Sequence, residues 1–262
     1  MYPILFEIGE WPVYSYGVLL AAAYLIGLQL GVVRARRAGV DPAKVMDLGI
    51  YLIIAALVGA KLMLIAVDWE YFRQNPGELL SLVRAGGVFY GGLITAVIVG
   101  LWLVRRYKLP VWTTADLMAP GIALGHVVGR FGCLLAGCCY GRPTDVPWAI
   151  TFTDPHAAAN VGTPLGVALH PTQMYDAGAE LIILGLLLFT ERKGRPFAGR
   201  TFWAYLLLYG ISRFIIEFYR GDVSRGTIGG ALSTSQFVSL LLVPLALVML
   251  AYLRRRAQAA NA

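Results

Sequence analysis

The sequence predicts an all-α membrane protein of seven transmembrane helices, and two observations carry the prediction. Of its 262 residues, 58% are hydrophobic and only 14% are charged, which is too apolar for a soluble domain. Seven stretches are each long enough to cross about 30 Å of hydrocarbon at about 1.5 Å per residue. The basic residues add an orientation, with the amino terminus outside and the carboxyl terminus cytoplasmic.

The spans are Tyr14–Val33, Val45–Val67, Gly86–Val104, Thr114–Leu135, Pro171–Thr190, Thr201–Tyr219 and Leu232–Leu253. The first twelve residues hold Glu7 and Glu10 but no basic n-region, so the first span is expected to remain as a membrane helix and not to be cleaved as a signal peptide. Ahead of it, Ile4–Tyr14 is amphipathic, with Trp11, Tyr14 and Tyr16 at interface depth, and is expected to lie along the membrane surface. Arg34, Arg36, Arg37 and Lys44 follow span one; Arg105, Arg106 and Lys108 follow span three. Arg192, Lys193, Arg195 and Arg200 follow span five, and Arg254, Arg255 and Arg256 follow span seven. Against these fourteen, the opposite loops hold five: Arg73, Arg84, Arg142, Arg220 and Arg225. The positive-inside rule then fixes the orientation. The same distribution accounts for the net charge of +7 without nucleic acid, since no basic stripe with interleaved aromatics exists.

The connection from Ala136 to His170 is the long one on the outer side. Trp148–Phe152 alternates like a short strand between Pro- and Gly-rich turns. The chain is therefore expected to be a single polytopic membrane domain, 1–262, with a small extracytoplasmic head at 136–170. The tail after Arg256 is expected to be disordered.

Chemistry concentrates in the outer half. Gly129–Thr144 reads GRFGCLLAGCCYGRPT. An arginine facing hydrocarbon costs roughly a few kcal/mol, so Arg130 needs a partner, a cavity or an anionic ligand, and the interleaved glycines let a ligand approach the backbone. In span six, Tyr209, Arg213 and Glu217 are spaced i, i+4, i+8 on one helical face with Arg220 adjacent. Two arginines facing one carboxylate leave positive charge over. That surplus, with Arg130, suggests an anion site, and the guanidinium fork suits phosphate oxygens; an internal Arg–Glu pair is the alternative. Lys61, in mid-span, is a further candidate.

Span five opens His170-Pro-Thr-Gln173, and Gln173, Asp176 and Glu180 form a polar stripe at i, i+3, i+7. These carboxylates are either functional or counter-ions for Lys61 and the arginines. His170 sits at the outer edge as a possible proton acceptor near neutral pH, whereas His126 reads as a hydrogen-bonded packing residue. Span three opens GGVFYGG, where Gly91 and Gly92 allow close packing or lipid approach and Tyr90 offers a hydroxyl. Cys133, Cys138 and Cys139 fall within seven residues, but C-x₄-C-C is neither the C-x-x-C redox spacing nor a zinc pattern, so no metal is expected. An outer location would permit a disulfide of Cys133 with Cys138 or Cys139.

The order of these motifs resembles the prolipoprotein diacylglyceryl transferases, membrane enzymes of bacterial lipoprotein maturation. The resemblance runs through Tyr16-Gly17, GGVFYGGLI at Gly86–Ile94, GR-x-G at Gly129–Gly132, G-R-x-T at Gly141–Thr144, H-P-T-Q at His170–Gln173 and YGISRFIIEFYR at Tyr209–Arg220. It implies transfer of the diacylglyceryl group of phosphatidylglycerol to the lipobox cysteine thiol in the signal peptide of a preprolipoprotein, with release of glycerol phosphate. It also implies a cytoplasmic (inner) membrane enzyme, a monomer among membrane lipids, that needs no cofactor. Catalytic roles fall to Arg130, Arg213, Glu217, His170 and Tyr90; substrate-binding roles fall to Tyr16, Gly91, Gly92, Gly141, Arg142, Gln173, Tyr209 and Arg220. Three positions depart from the family pattern: Tyr90 stands where it has histidine, Cys133 where it has asparagine and Cys138 where it has glutamate. The missing histidine leaves the base to His170 or to a Tyr90 of lowered pKa, or marks a paralogue of altered activity. The alternatives are a homologue that binds phospholipid without turnover and a membrane thiol–disulfide protein; no inverted repeat supports a transporter.

Overall fold

The computed structural model describes residues 2–9, 11–78, 87–192, 194–222, 226–228 and 232–261. Glu10, Arg84, Gly86, Lys193 and Arg225 of the sequence reading lie outside the described residues. Each of the seven apolar stretches is helical: α1 (Ser15–Arg37), α2 (Pro42–Val67), α4 (Phe89–Arg106), α5 (Val111–Ala136), α7 (Thr172–Glu191), α8 (Arg200–Glu217) and α9 (Thr234–Asn261). Two short helices, α3 (Trp69–Gln74) and α6 (Pro155–Val161), complete the set. Among the described residues, six helices are long and apolar enough to cross a membrane: α1, α2, α4, α5, α7 and α9. The protein is thus an all-α multi-pass membrane protein. α8 carries Arg200, Arg213 and Glu217 within its eighteen residues and is not among the six.

The chain divides into two compact units, Met1–Gly31 with Ala115–Ala262, and Val32–Thr114. In the second unit, Asp41 starts α2 by accepting from the Ala43 and Lys44 amides, with Pro42 at the first helical position. α2 then packs on α4 through small residues. A methyl group at Gly59 would collide with the Gly91 carbonyl and Thr95, one at Gly91 with Met63, and one at Gly92 with the Ala56 carbonyl. The Val88 amide donates to the Ala60 carbonyl at 3.0 Å and pins the start of α4 to α2. Lipid tails are as apolar as leucine, so close backbone approach is what such helices gain by associating.

In the first unit, α1 and α5 use the same device where Gly27 faces Gly121 with no room for a methyl on either. Farther along, Ala119, Ala123, Ile183, Leu184, Leu187 and Tyr205 make a buried cluster of α5, α7 and α8. Buried Asp116 of α5 accepts from the amides of Gly199 and Phe202 at 2.7 and 2.8 Å. A carboxylate thereby caps the positive end of α8 from a neighbouring helix.

Local structure departs from expectation at two places, and at a third, Ile4–Tyr14, it gives a form to a segment expected only to be amphipathic and to lie along the membrane surface. Ile4–Tyr14 is a β-hairpin, β1 (Ile4–Ile8) against β2 (Trp11–Tyr14), turning at Gly9 with φ of 63°. Its alternation has a period of two, not of a helix. The strand expected at Trp148–Phe152 contracts to β3 (Ile150–Thr151), paired with β4 (Ala168–Leu169). It sits beside a small buried cluster of Tyr140, Phe152 and Leu169. The tail after Arg256 is not disordered but continues α9 to Asn261, since Ala and Gln are good helix formers. The last two strands, β5 (Thr227–Ile228) and β6 (Leu232–Ser233), pair just before α9.

Candidate active site

Gly141 lies at the junction of three sequence motifs. Its amide donates to the His170 carbonyl at 2.9 Å, the Arg142 amide to the Tyr219 carbonyl at 2.9 Å, and the Gly221 amide to the Tyr140 carbonyl at 3.1 Å. The His170 amide donates back to the Arg142 carbonyl at 3.0 Å. The loop after α5 is thus laced between the start of α7 and the end of α8. A Cβ on Gly141 would meet His170 and the Tyr219 carbonyl, and one on Gly221 would meet Gly141 itself. Glycine is required at both because two backbones pass on either side. Two buried side chains of α7 fix the loop from below: Thr172 Oγ1 donates to the Cys139 carbonyl and Gln173 Nε2 to the Cys138 carbonyl, both at 2.7 Å.

Three arginines gather around this junction. The side chains of Arg130, Arg213 and Arg220 are only 13%, 11% and 2% exposed. Arg130 Nη2 lies 3.1 Å from Asp176 Oδ2, and Arg220 Nη1 lies 3.6 Å from the same oxygen. Arg220 also grips Asp222 with both Nε and Nη2, at 3.1 and 2.9 Å. Arg213 Nη2 pairs with Glu217 Oε2 at 2.7 Å and donates to Ser235 Oγ at 3.1 Å. The expected arrangement of two arginines about Glu217 is therefore replaced: Glu217 pairs with Arg213, while Arg220 pairs with Asp222 and shares Asp176 with Arg130. Arg220 lies past the end of α8, where the chain has left the helical face that Arg213 and Glu217 share.

Arg130 and Arg213 nevertheless act on one group, since both lie within electrostatic reach of the Tyr209 hydroxyl, as do Asp176 and Glu180. Glu180 Oε1 is 2.8 Å from His126 Nδ1, and the imidazole stacks on Tyr209. The polar stripe of α7 is buried at all three positions. Asp176 faces two arginines, and Glu180 is hydrogen-bonded to His126. In the Arg213 and Arg220 forks, Nη1 is buried without a hydrogen-bond partner. Leaving a buried donor without an acceptor costs about 1–3 kcal/mol, and an incoming anion would supply one.

The remaining expected residues fall into three places. His170 Nδ1 is 3.0 Å from the Tyr175 hydroxyl, which also accepts from Trp148 Nε1 at 2.8 Å, and Tyr219 meets the imidazole edge-on. Tyr16 lies within electrostatic reach of all three cysteines and is 40% exposed, while the Arg142 side chain is exposed. Tyr90, Gly91 and Gly92 begin α4 in the other unit, Tyr90 half-exposed and the glycines buried.

The three thiols are free, and their Sγ atoms all lie within 4.8 Å of one another. Hydrogen bonding from Cys133 and Cys138, then the charges of Arg220 and Arg130, holds the Cys139 thiol below its ordinary range. Burial pushes Asp222 upward against the opposing pull of Arg220. Sequence reasoning missed Asp222 and Ser235, because nothing but the folded loop brings them to the arginines.

The sequence model of the prolipoprotein diacylglyceryl transferases matches residues 3–252. The chain belongs to this family. It is 37% identical to the phosphatidylglycerol–prolipoprotein diacylglyceryl transferase of Clostridium tetani (strain Massachusetts / E88), over 93% of this chain and 94% of that one. It is 34% identical to the phosphatidylglycerol–prolipoprotein diacylglyceryl transferase 2 of Clostridium perfringens (strain 13 / Type A), over 92% and 91%. For the enzyme of Trichormus variabilis (strain ATCC 29413 / PCC 7937) the figures are 32%, 97% and 91%. Three of the motifs of a diacylglyceryl transferase, at Gly141–Thr144, His170–Gln173 and Tyr209–Arg220, here meet in one backbone hydrogen-bond lattice around Gly141.

Proposed function

We propose that this protein transfers the diacylglyceryl group of phosphatidylglycerol to the lipobox cysteine thiol of preprolipoproteins, releasing glycerol phosphate. The observation that supports this site best is the burial of three guanidinium groups, with Arg130 and Arg220 sharing Asp176 and with Arg130 and Arg213 both within electrostatic reach of Tyr209. The substrate thiolate attacks the glyceryl carbon, the bond from that carbon to the phosphate oxygen breaks, and negative charge builds on the departing phosphate. Arg130 and Arg213 donate to it, with Arg220 behind them, in surroundings too dry to screen the attraction. Glu217 holds the Arg213 fork in position. The substrate thiol must lose its proton to become the nucleophile. His170 takes it, with its ring orientation set by Tyr175, and Tyr90 is the second candidate. Tyr16 and Tyr209 line the lipid path, Gly141 and Gln173 shape the loop, and Arg142 stands at the outer mouth; Gly91 and Gly92 act within their own unit, by letting α4 pack on α2.

The same reading makes α8 a seventh span and places the amino terminus outside in a bacterial cytoplasmic membrane. The chain then acts as one monomeric polytopic domain with residues 136–170 as its extracytoplasmic head. The displacement at carbon runs without a cofactor. Expression in a strain depleted of its own transferase is expected to restore lipoprotein lipidation and growth, and Arg213→Ala is expected not to. A purified protein that binds phosphatidylglycerol vesicles but lipidates no lipobox peptide would instead be a binder without turnover. His170→Asn is expected to lower turnover; unchanged turnover eliminates His170 as the base.

A further inference from the structure

Among the described residues, Cys133, Cys138 and Cys139 form the one group of three His, Cys, Asp or Glu side chains whose ligand atoms converge. The spacing alone promised no such site, because two of the sulfurs come from a loop and one from the last turn of α5. The loop is held for the purpose. Cys139 takes a left-handed φ of 63°, a conformation that is unfavourable for a non-glycine residue. The carbonyls of Cys138 and Cys139 are both gripped by buried side chains of α7. Ligand carriers fixed by hydrogen bonds of this kind are what preorganised metal sites use. The dimensions also fit: a cation with bonds of about 2.3 Å to three sulfurs holds them roughly 3.8–4 Å apart, inside the observed 4.8 Å spread.

From this geometry we infer that Cys133, Cys138 and Cys139 form a binding site for a soft, thiophilic metal cation, monovalent copper above others. Three sulfurs, with no fourth His, Cys, Asp or Glu ligand converging on them among the described residues, suit trigonal copper better than zinc, which takes four ligands in structural sites. As each metal–sulfur bond forms, its thiol gives one proton to solvent, and no electron is transferred. The charge left on the sulfurs lies within electrostatic reach of Arg130 and Arg220.

The full-length protein, reduced and purified without oxygen, is titrated with cuprous ion against a chromophoric chelator. One equivalent is expected to bind with release of about three protons, and all three cysteines should become resistant to alkylation, counted by mass spectrometry. Cys133→Ala and Cys138→Ser should each weaken binding by more than about tenfold, and Thr172→Val, acting through the Cys139 carbonyl, by about tenfold or more. Protection of the unsubstituted protein from alkylation stands as evidence even if a variant fails to fold. Uptake below one equivalent, undiminished uptake by Cys138→Ser, or thiols that alkylate equally with and without copper overturns the site. So does a disulfide between two of the three that, once reduced, gives thiols with no copper uptake.

Discussion

The two units of this protein share one device for holding helices together in a lipid-like solvent, close glycine contact, and differ in the buried charged groups that the larger unit adds to it. In Val32–Thr114, α2 and α4 meet through Gly59, Gly91 and Gly92, and the gain is backbone contact. In the other unit, α5, α7 and α8 meet through Arg130–Asp176, His126–Glu180 and Asp116 at the start of α8. Buried ion pairs are poor sources of stability, because desolvation consumes much of the Coulomb gain. Glycine contacts stabilise without constraining chemistry; ion pairs constrain chemistry and stabilise little. The difference teaches where function lies, since polar groups are kept in an apolar interior at a cost only where they are used.

The largest expected effect follows directly. Arg130→Ala should lower the rate of lipid transfer by about 100- to 1,000-fold, as loss of one donor to developing charge does elsewhere. Arg130→Lys should recover little, because an ammonium offers no fork. Thermal unfolding in detergent checks that the loss is chemical: a variant that loses stability in proportion to activity would erase the contrast between the units. Next comes the glycine seam. Gly59→Ala drives a methyl into the Gly91 carbonyl and Thr95 and should destabilise by about 1–3 kcal/mol. Turnover per folded molecule should stay within a few-fold of the unsubstituted protein. The pair His126–Glu180 falls between these cases. Glu180→Gln should cost about 1–3 kcal/mol, since it leaves a buried group with its partner altered. In a double-mutant cycle with His126→Phe, the coupling should account for most of that cost.

Much of this was legible in the sequence, and the parts that were not share a cause. The seven helices follow from apolar runs that are hard to misplace, and the arginines and carboxylates followed from their expense in an apolar chain. Arg220 was assigned to Glu217 because helical spacing was extended three residues past the end of α8; the chain turns there, and the guanidinium finds Asp176 and Asp222 instead. The hairpin at Ile4–Tyr14 was hidden because an eleven-residue apolar segment admits both periods. The tail from Ala257 looked too small and polar to order, yet it extends a helix already nucleated, where adding residues is inexpensive. Gly141 and the three thiols depend on contacts 30 to 80 residues apart, which no local pattern encodes.

The smallest predicted effect tests the comparison most finely. Thr95 Oγ1 donates to the Gly91 carbonyl at 2.8 Å within α4, and the same side chain lies against Gly59. Thr95→Val keeps the shape and removes the hydrogen bond. A polar contact inside a membrane helix is worth about 0.6 kcal/mol on average, and a threonine bonding back to its own helix slightly bends it. The substitution should therefore change stability by less than about 1 kcal/mol, in either direction, and leave lipid transfer intact. Gly59→Ala adds one carbon to the same contact and should cost more. If removing the hydroxyl proves costlier than adding the methyl, as read by paired thermal melts, then α2 and α4 are held by polar bonding as the other unit is. The distinction between a packing unit and a chemical one would then not describe this protein.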